Sequence, residues 1–491
     1  MDRKLLLLLD EPLGVPLRAT VLMRNVMSLY DTDRRTTAIQ NVKGQMSTPR
    51  QGWTIAWCHT GDSGGSKRAT FDMVRELSHR GHVIDEYIIR IGEPDLINWP
   101  LQPFVRESYQ YLLPRRSGCA LRPHLVQTWV DLALNLLKTR SFLSTLETVA
   151  ADINSRGYDF VHIDHVSPSY TVLLTTMVGL PSVVYSHEVS GARYQMNDAP
   201  GLQSKSSGIR RAYRYSCDLA NRTWLGFRER QDLRGLSAAS TVFTNSFFSR
   251  EAMFQRTRRF SVVCRYGVDT VKFRSIGLSV EPVVLSAGRI VEAKQHHLVI
   301  EAVAKIHQSR RPQVVIATPT SATRHEDYEY LVRVTEMAKA AGVDLTIRCK
   351  PSEAELVALY NQSLMLVFMP TMEPFGLVAL EAMACGTPVI GVREGGVRES
   401  VLDGQSGILV DRNPTELAEA IDHLIQNPEL RNRLGQQAGV YVRSEWTWAR
   451  SIDRYEKEVE KLLTGRNITS TSSYQTKVEM ATGIKGDALV N

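Results

Sequence analysis

Short apolar runs separated by helix-length stretches occur in this chain in two successive series, and that rhythm leaves few folds open. In the first series, residues 54–58, 83–91, 160–163, 182–186, 241–245 and 261–264 read as buried strands. Residues 68–80 place Phe71, Val74 and Leu77 on one face and end at Gly81, so they read as the helix of a β-α-β unit. A poorly patterned link at 272–281 follows. The alternation then restarts with strands at 283–287, 314–317, 345–348, 364–369 and 389–392 and with helices such as 297–306 and 353–361. Strands joined by helical crossovers run parallel, so the expectation is an α/β chain of two Rossmann-like doubly wound domains, 53–274 and 282–445. Such domains collect loops and helix starts at their strand C-termini, here facing a shared cleft. A weakly periodic extension, 1–52, precedes them. A helix at 447–463 follows Trp446, and a Thr- and Ser-rich tail, 465–491, is expected to be disordered.

At 491 residues the chain is long enough for two or three domains, each with a proper core. A net charge of +7 suits an acidic ligand, an acidic substrate or an anionic membrane surface without choosing among them. Nucleic acid is not expected, because there is no zinc-finger spacing, RNP-type aromatic motif or extended basic arm. Cys58, Cys119, Cys217, Cys264, Cys349 and Cys385 are scattered without C-x-x-C or Cys/His ligand spacing, which reads as reduced thiols of a cytoplasmic protein. The run Leu5 to Leu9 is cut off by Asp10-Glu11-Pro12, short of a signal-peptide core, and no segment approaches the length of a membrane span.

The chemistry concentrates in Glu373-Pro374-Phe375-Gly376-Leu377 and the helix formers that follow, up to Gly386 and Pro388. A strand that feeds a helix through a Pro-Phe-Gly turn leaves the first helical N–H groups unpaired, and the helix dipole points its positive end at the same place. That is an anion site, suited to a diphosphate. Glu373 stands at the mouth of the turn and Glu381 about two helical turns further in, and carboxylates accept the paired hydroxyls of a sugar or ribose. Alone, an E-x7-E spacing reads as a helix cap followed by a solvated helical position. Its surroundings, Gly395-Gly396, Glu399, Asp403-Gly404, Gly407 and Leu409-Val410, set it apart.

From Glu373 to Val410 the string resembles the signature of the GT4 family of retaining glycosyltransferases with the GT-B fold. The resemblance extends in islands over about 53–463. It implies two facing Rossmann-like domains, the first on the acceptor side and the second binding the nucleotide sugar, with a C-terminal crossover helix at 446–464. It implies that Glu381 holds the ribose hydroxyls, that Glu373 holds the donor hexose, and that the N–H groups near Phe375, Gly376 and Leu377 meet the sugar and phosphates. In Ser286-Ala287-Gly288-Arg289 and the following residues to Lys294, the Arg289 and Lys294 cations resemble those that grip a pyrophosphate. Gly64 and Gly65 end a glycine-rich loop, 61–65, that such enzymes set against donor phosphate or acceptor. His187-Glu188 resembles the His-acidic pair beside the donor hexose, and Thr244-Asn245-Ser246 resembles a turn that caps a helix.

The catalytic set implied by the resemblance is therefore His187, Arg289, Lys294 and Glu373, acting on a nucleoside-diphosphate sugar by front-face substitution. No metal and no further cofactor is expected, since there is no Asp-x-Asp motif. Two departures stand out. Tyr266 precedes Gly267-Val268-Asp269 where relatives often have Asn or Pro, and the base-contacting loop reads Arg348-Cys349-Lys350-Pro351 without its usual glycine, so the base is left open. A sugar-nucleotide epimerase on the same fold and a non-catalytic nucleotide-sugar-binding scaffold remain as alternatives. The acceptor is a glycan, a lipid-linked group or a small molecule. The segment 205–234, with Arg210, Arg211 and Arg214 among Tyr213, Tyr215, Trp224 and Phe227, reads either as a solvated helical face or as a peripheral contact with an anionic membrane.

Overall fold

The computed structural model describes residues 52–60, 64–91, 99–113, 124–166, 170–188, 209–319 and 325–465, without some side chains at 124–138 and 209–218. The extension up to Gln51, the loop residues 61–63, Cys119, Lys205 and the tail beyond Gly465 lie outside the described residues, as do the Arg210, Arg211, Tyr213, Arg214 and Tyr215 side chains.

The first half runs β1 (Thr54–His59), α1 (Gly65–His79), β2 (Val83–Ile91), β3 (Glu107–Leu113), α2 (His124–Ser155), β4 (Phe160–Val166), β5 (Ser182–Glu188), α3 (Ile209–Ala238), β6 (Thr241–Thr244), α4 (Phe247–Thr257) and β7 (Val262–Val263). The second runs β8 (Glu281–Ala287), α5 (His296–Lys305), β9 (Gln313–Thr318), α6 (His325–Ala340), β10 (Leu345–Cys349), α7 (Glu353–Gln362), β11 (Ser363–Phe368), α8 (Leu377–Ala384), β12 (Val389–Val392), α9 (Val397–Ser400), β13 (Gly407–Val410), α10 (Pro414–Gln426) and α11 (Pro428–Glu445), and α12 (Trp448–Leu463) is the last described element.

Each half builds one parallel sheet. The first is seven-stranded in the order β3-β2-β1-β4-β5-β6-β7, and the second is six-stranded in the order β10-β9-β8-β11-β12-β13. Both orders reverse direction beside their first strand, between β1 and β4 and between β8 and β11. In doubly wound sheets the crevice for ligands opens at the strand C-termini at that reversal. The alternation along β1 shows why the sheet is covered on both faces: Ile55 and Trp57 pack toward α1 and the second half, while Ala56 and Cys58 pack into a second core against α2.

The strand and helix pattern read from the sequence is present, and the fold class is α/β GT-B. Strands β3 and β13 go beyond the strands expected from the sequence. β3 lies at the sheet edge, mostly exposed, and β13 is a short run ahead of an Asp-Arg-Asn turn. The last helix does cross back. In α12, Asp453 and Glu456 take Arg80, which lies just past α1, at 2.7 and 2.9 Å, and Tyr455 reaches His162 of β4 at 2.7 Å. Gly267 makes that crossing close, since a Cβ there would sit 2.2 Å from the Trp448 backbone nitrogen. The first and second halves thereby share one hydrophobic core through Tyr266, Phe375, Trp446, Trp448 and Tyr455.

Candidate active site

The second-half reversal carries most of the sequence motif. Beyond β8, Gly288 turns the chain, with φ 145°, and Arg289 to Lys294 form a loop over the sheet end. That loop is held from beneath by His296, which is buried and bonds Ser286 Oγ at 2.8 Å and the Arg289 carbonyl at 3.0 Å. A carbonyl only accepts, so Nε2 carries the proton and Nδ1 accepts from the serine hydroxyl. Burial pushes the His296 imidazole down to about 4, so it stays neutral at ordinary pH. No sequence motif marked this residue; a histidine at the start of a helix has no signature until its partners are known.

Above that support, Lys294 Nζ lies 2.5 Å from Glu373 Oε2 and faces the Phe368 ring at 5.7 Å. Arg289 is exposed, and no ion pair of its guanidinium is found among the described residues. Glu373 stands in a loop pinned on several sides: its carbonyl accepts from Gly396 at 2.7 Å, and Arg412 bonds the Met369 and Pro370 carbonyls at 2.8 and 3.0 Å. Gly395, with φ 60°, closes on the Glu373 carbonyl so tightly that a Cβ would lie 2.6 Å from it. This explains the glycine pair downstream of the motif. Gly376 enters α8 with φ 92°, and no side chain caps that helix start. Its leading N–H groups, with the Arg289 and Lys294 cations nearby in the same cleft, form a site for an anion.

Glu381 is placed differently from Glu373. It is buried, accepts from Arg68 Nη1 at 2.6 Å on one oxygen and from Tyr360 Oη at 2.9 Å on the other. Arg68 belongs to α1 of the first half, so this pair spans the cleft. Burial raises the Glu381 carboxyl above its ordinary value, and Arg68 and Tyr360 oppose that rise.

The first-half wall is a buried polar network. Asp164, at the C-terminal end of β4, accepts from Trp57 Nε1 at 2.9 Å, Thr70 Oγ1 at 2.7 Å and His187 Nε2 at 2.8 Å, with His162 Nε2 at 3.2 Å. Burial works to raise its carboxyl, but His187 and His162 outweigh that and hold it well below the ordinary range. His187 is buried, with Nδ1 bonded to Tyr266 Oη at 2.5 Å. Both of its nitrogens are therefore spent inside the protein. With Asp164 as acceptor, Nε2 is protonated and Nδ1 accepts from the tyrosine. Tyr266, the departure from the usual turn, thus has a use: it joins His187 and Asn245 to Phe375 of the motif, ring to ring at 4.8 Å.

Glu188, the next residue, reaches the cleft. It keeps solvent access, yet the crowding around its carboxyl raises it above the ordinary range, with Glu373 adding to the rise and Arg289 and Lys294 opposing it. The Asn245-Ser246 turn caps α4, as read from the sequence: Ser246 Oγ accepts from Ser249 N at 2.9 Å. It also donates to the Pro374 carbonyl at 2.6 Å, tying the two halves beside the motif. Gly64, with φ 117°, leads into α1, and the space over Gly64 and Gly65 is open. In α3, Trp224 and Phe227 stack at 5.9 Å and pack toward the core beneath, while Arg222 and Arg230 face outward.

Two parallel sheets whose reversals face each other across a cation-lined cleft define the GT-B class. Residues 270–439 match the family Glycosyl transferases group 1. The chain as a whole has the GT-B fold. The D-inositol 3-phosphate glycosyltransferase of Thermobifida fusca is 32% identical over 187 residues, 37% of this chain and 43% of that protein. Its counterpart in Arthrobacter sp. is 33% identical over 238 residues, 46% of this chain and 50% of that protein, so the chain spans about half the length of these curated relatives. The protein of the same name from Kineococcus radiotolerans is 26% identical over 77% of this chain and 86% of its own length. Among solved structures, sucrose-phosphate synthase from Thermosynechococcus elongatus superposes with a TM-score of 0.62 at 19% identity, over 85% of this chain and 100% of its own. Anabaena HepE, solved with UDP and glucose, gives 0.60 at 15%, over 83% and 100%. At these identities the likeness establishes fold.

Proposed function

We propose that this protein transfers a hexose from a nucleoside-diphosphate sugar to an acceptor hydroxyl with retention at the anomeric carbon. The observation that carries the reading is the cluster of Arg289, Lys294 and Glu373 beside the uncapped start of α8, at the reversal of the second sheet. A diphosphate at that helix start has two cations beside it, and the hexose it bears lies against Glu373. As the bond from the anomeric carbon to the diphosphate oxygen breaks, the acceptor oxygen bonds to that carbon on the same face and passes its proton to the departing oxygen. Arg289, Lys294 and the helix N–H groups hold the charge that grows there, an effect strongest in the transition state.

His187 supports this site from behind, because its ring nitrogens are engaged by Asp164 and Tyr266. Glu188 is the carboxylate of that pair that meets the cleft. We take the chain as one donor-binding half, 282–445, and one acceptor-binding half, 53–274, acting in the cytoplasm. Among the described residues no helix is long and apolar enough to cross a membrane. The inward packing of Trp224 and Phe227 favours a small or soluble acceptor over a lipid surface. The names of its relatives make D-inositol 3-phosphate a first acceptor to try, and the HepE complexes make UDP-glucose a first donor.

The test is a thermal-shift screen of nucleotide sugars, in which the tightest binder raises apparent stability by mass action. Product analysis with and without acceptor follows. A new glycoside that forms only with acceptor, with the anomeric configuration of the donor, supports transfer. An altered free nucleotide sugar formed without acceptor indicates an epimerase, and binding without turnover under all acceptors indicates a scaffold.

A further inference from the structure

Arg68 occupies the place that the reading above gives to a ribose. Its guanidinium bonds Glu381 at 2.6 Å, lies 4.8 Å from the centre of the Phe273 ring, and is largely buried between the two halves. Tyr360 holds the other Glu381 oxygen and packs edge-on against Phe273, so each carboxylate oxygen already has a donor and the group is closed off from solvent, with the Arg68 guanidinium on its cleft side. A ribose diol that takes Glu381 must displace the arginine.

Displacement leaves a cation in need of a partner. A buried charge stripped of its counter-ion is strongly unfavourable, whereas one that exchanges partners is not. The nearby carboxylates are already engaged: Asp72, one turn further along α1, pairs with Arg75 at 3.0 Å, and Glu353 pairs with Lys272 at 2.8 Å. The anion that arrives together with the ribose is the diphosphate. Arg68 sits in the first turn of α1, directly after the open backbone of Gly64 and Gly65, on the wall that faces the second-half anion site.

We propose that Arg68 is a specificity-determining residue of the donor site, exchanging Glu381 for the diphosphate when a nucleotide binds, so that a ligand with ribose but no phosphate is rejected. This rests on the donor-site reading above. A nucleoside must break the Arg68–Glu381 pair without replacing it. A nucleoside diphosphate breaks the pair and makes a new one, adding a first-half cation to Arg289 and Lys294 and drawing the halves together.

The experiment compares the wild type with Arg68→Met, which keeps the stem and removes the charge, and Arg68→Lys, which keeps the charge. The probes are UDP, GDP and ADP, each with its parent nucleoside, titrated by ligand-detected NMR. The diphosphate that binds the wild type best sets the pair. Arg68→Met is expected to bind that diphosphate about 10-fold or more weakly, in line with the loss of a charged hydrogen bond, and to bind the nucleoside as well as or better than the wild type. The ratio of the two affinities then falls by at least about 10-fold, and Arg68→Lys restores part of it. Equal weakening of both ligands means that Arg68 only braces the cleft, and an unchanged ratio with both affinities intact means that it does not meet the ligand; either result overturns the proposal. If none of the diphosphates binds the wild type, the donor-site reading itself falls and takes this inference with it.

Discussion

The two sheet reversals hold polar residues in opposite ways. At the second, Arg289, Lys294 and Glu373 stand on loops at the cleft, with water access, on a frame of buried hydrogen bonds from His296, Gly396 and Arg412. At the first, the polar groups themselves are the frame: Asp164, His162 and His187 are buried, and their bonds run through Tyr455 to the crossover helix and through Tyr266 to the motif. One wall is built to meet an anion and the other to hold a shape. The difference teaches that a buried histidine beside a carboxylate is not by that fact a chemical participant. Substitutions at the first wall should show up mainly as lost stability, and substitutions at the second mainly as lost turnover.

The largest effect is expected at Asp164. Asp164→Ala strips an acceptor from Trp57, Thr70, His162 and His187 at once, and orphaning a buried polar cluster costs about 3–5 kcal/mol. Denaturant unfolding measures it. A loss under 1 kcal/mol would mean that water reaches this wall and that the contrast between the walls is weaker than drawn.

The frame of the second wall has its own test in pH. His296 is held at about 4 in the folded chain against an ordinary 6.5, so between those values the unfolded state binds more protons. Stability therefore rises with pH through that window and is lost as pH falls from 6.5 toward 4, by an amount on the order of 3 kcal/mol in full. His296→Asn should flatten that part of the profile. An unchanged slope in the variant would show that another group carries the acid sensitivity.

On the surface of the same wall, Arg289→Ala and Lys294→Ala should each lower turnover by about 10²-fold or more, as for the loss of one preorganised electrostatic donor. Melting should barely change. Near wild-type turnover in both variants would remove the diphosphate from this corner.

The contrast also decides what could be read from sequence. The second wall is made of two short strings, Arg289 to Lys294 and Glu373 to Glu381, each local along the chain, and the glycines at 395 and 396 are fixed by contact with Glu373 and with Pro374. A local motif survives as a string. The first wall joins Trp57, Thr70, His162, Asp164, His187, Tyr266 and Tyr455, which meet only when β1, α1, β4, β5 and α12 come together, so the sequence marks only His187 and Tyr266, and the bonds of His187 to Asp164 and Tyr266 leave no local signature. The cross-cleft pair of Arg68 with Glu381 was missed for the same reason. The doubly wound fold was legible because strand and helix periods are local, whereas β3 escaped because an edge strand buries too little to show a pattern.

The finest distinction lies within the motif. Glu381→Gln should weaken a nucleoside diphosphate by up to about 10-fold, since an amide is a poorer acceptor for the ribose, a loss that its weaker hold on Arg68 in the free protein partly offsets, while Glu373→Gln should leave the diphosphate nearly unchanged and weaken only the intact sugar nucleotide. The structure sharpens the expectation. Glu381 is buried and already bonded across the cleft, so its variant also loosens the contact between the halves, whereas the Glu373 carboxylate pairs, among the described residues, with Lys294 at the cleft surface. Calorimetry with the diphosphate and then with the sugar nucleotide reads both. Equal losses for both variants with both ligands would mean that the carboxylates act together as one anchor, and the division of the motif into a ribose end and a hexose end would have to be given up.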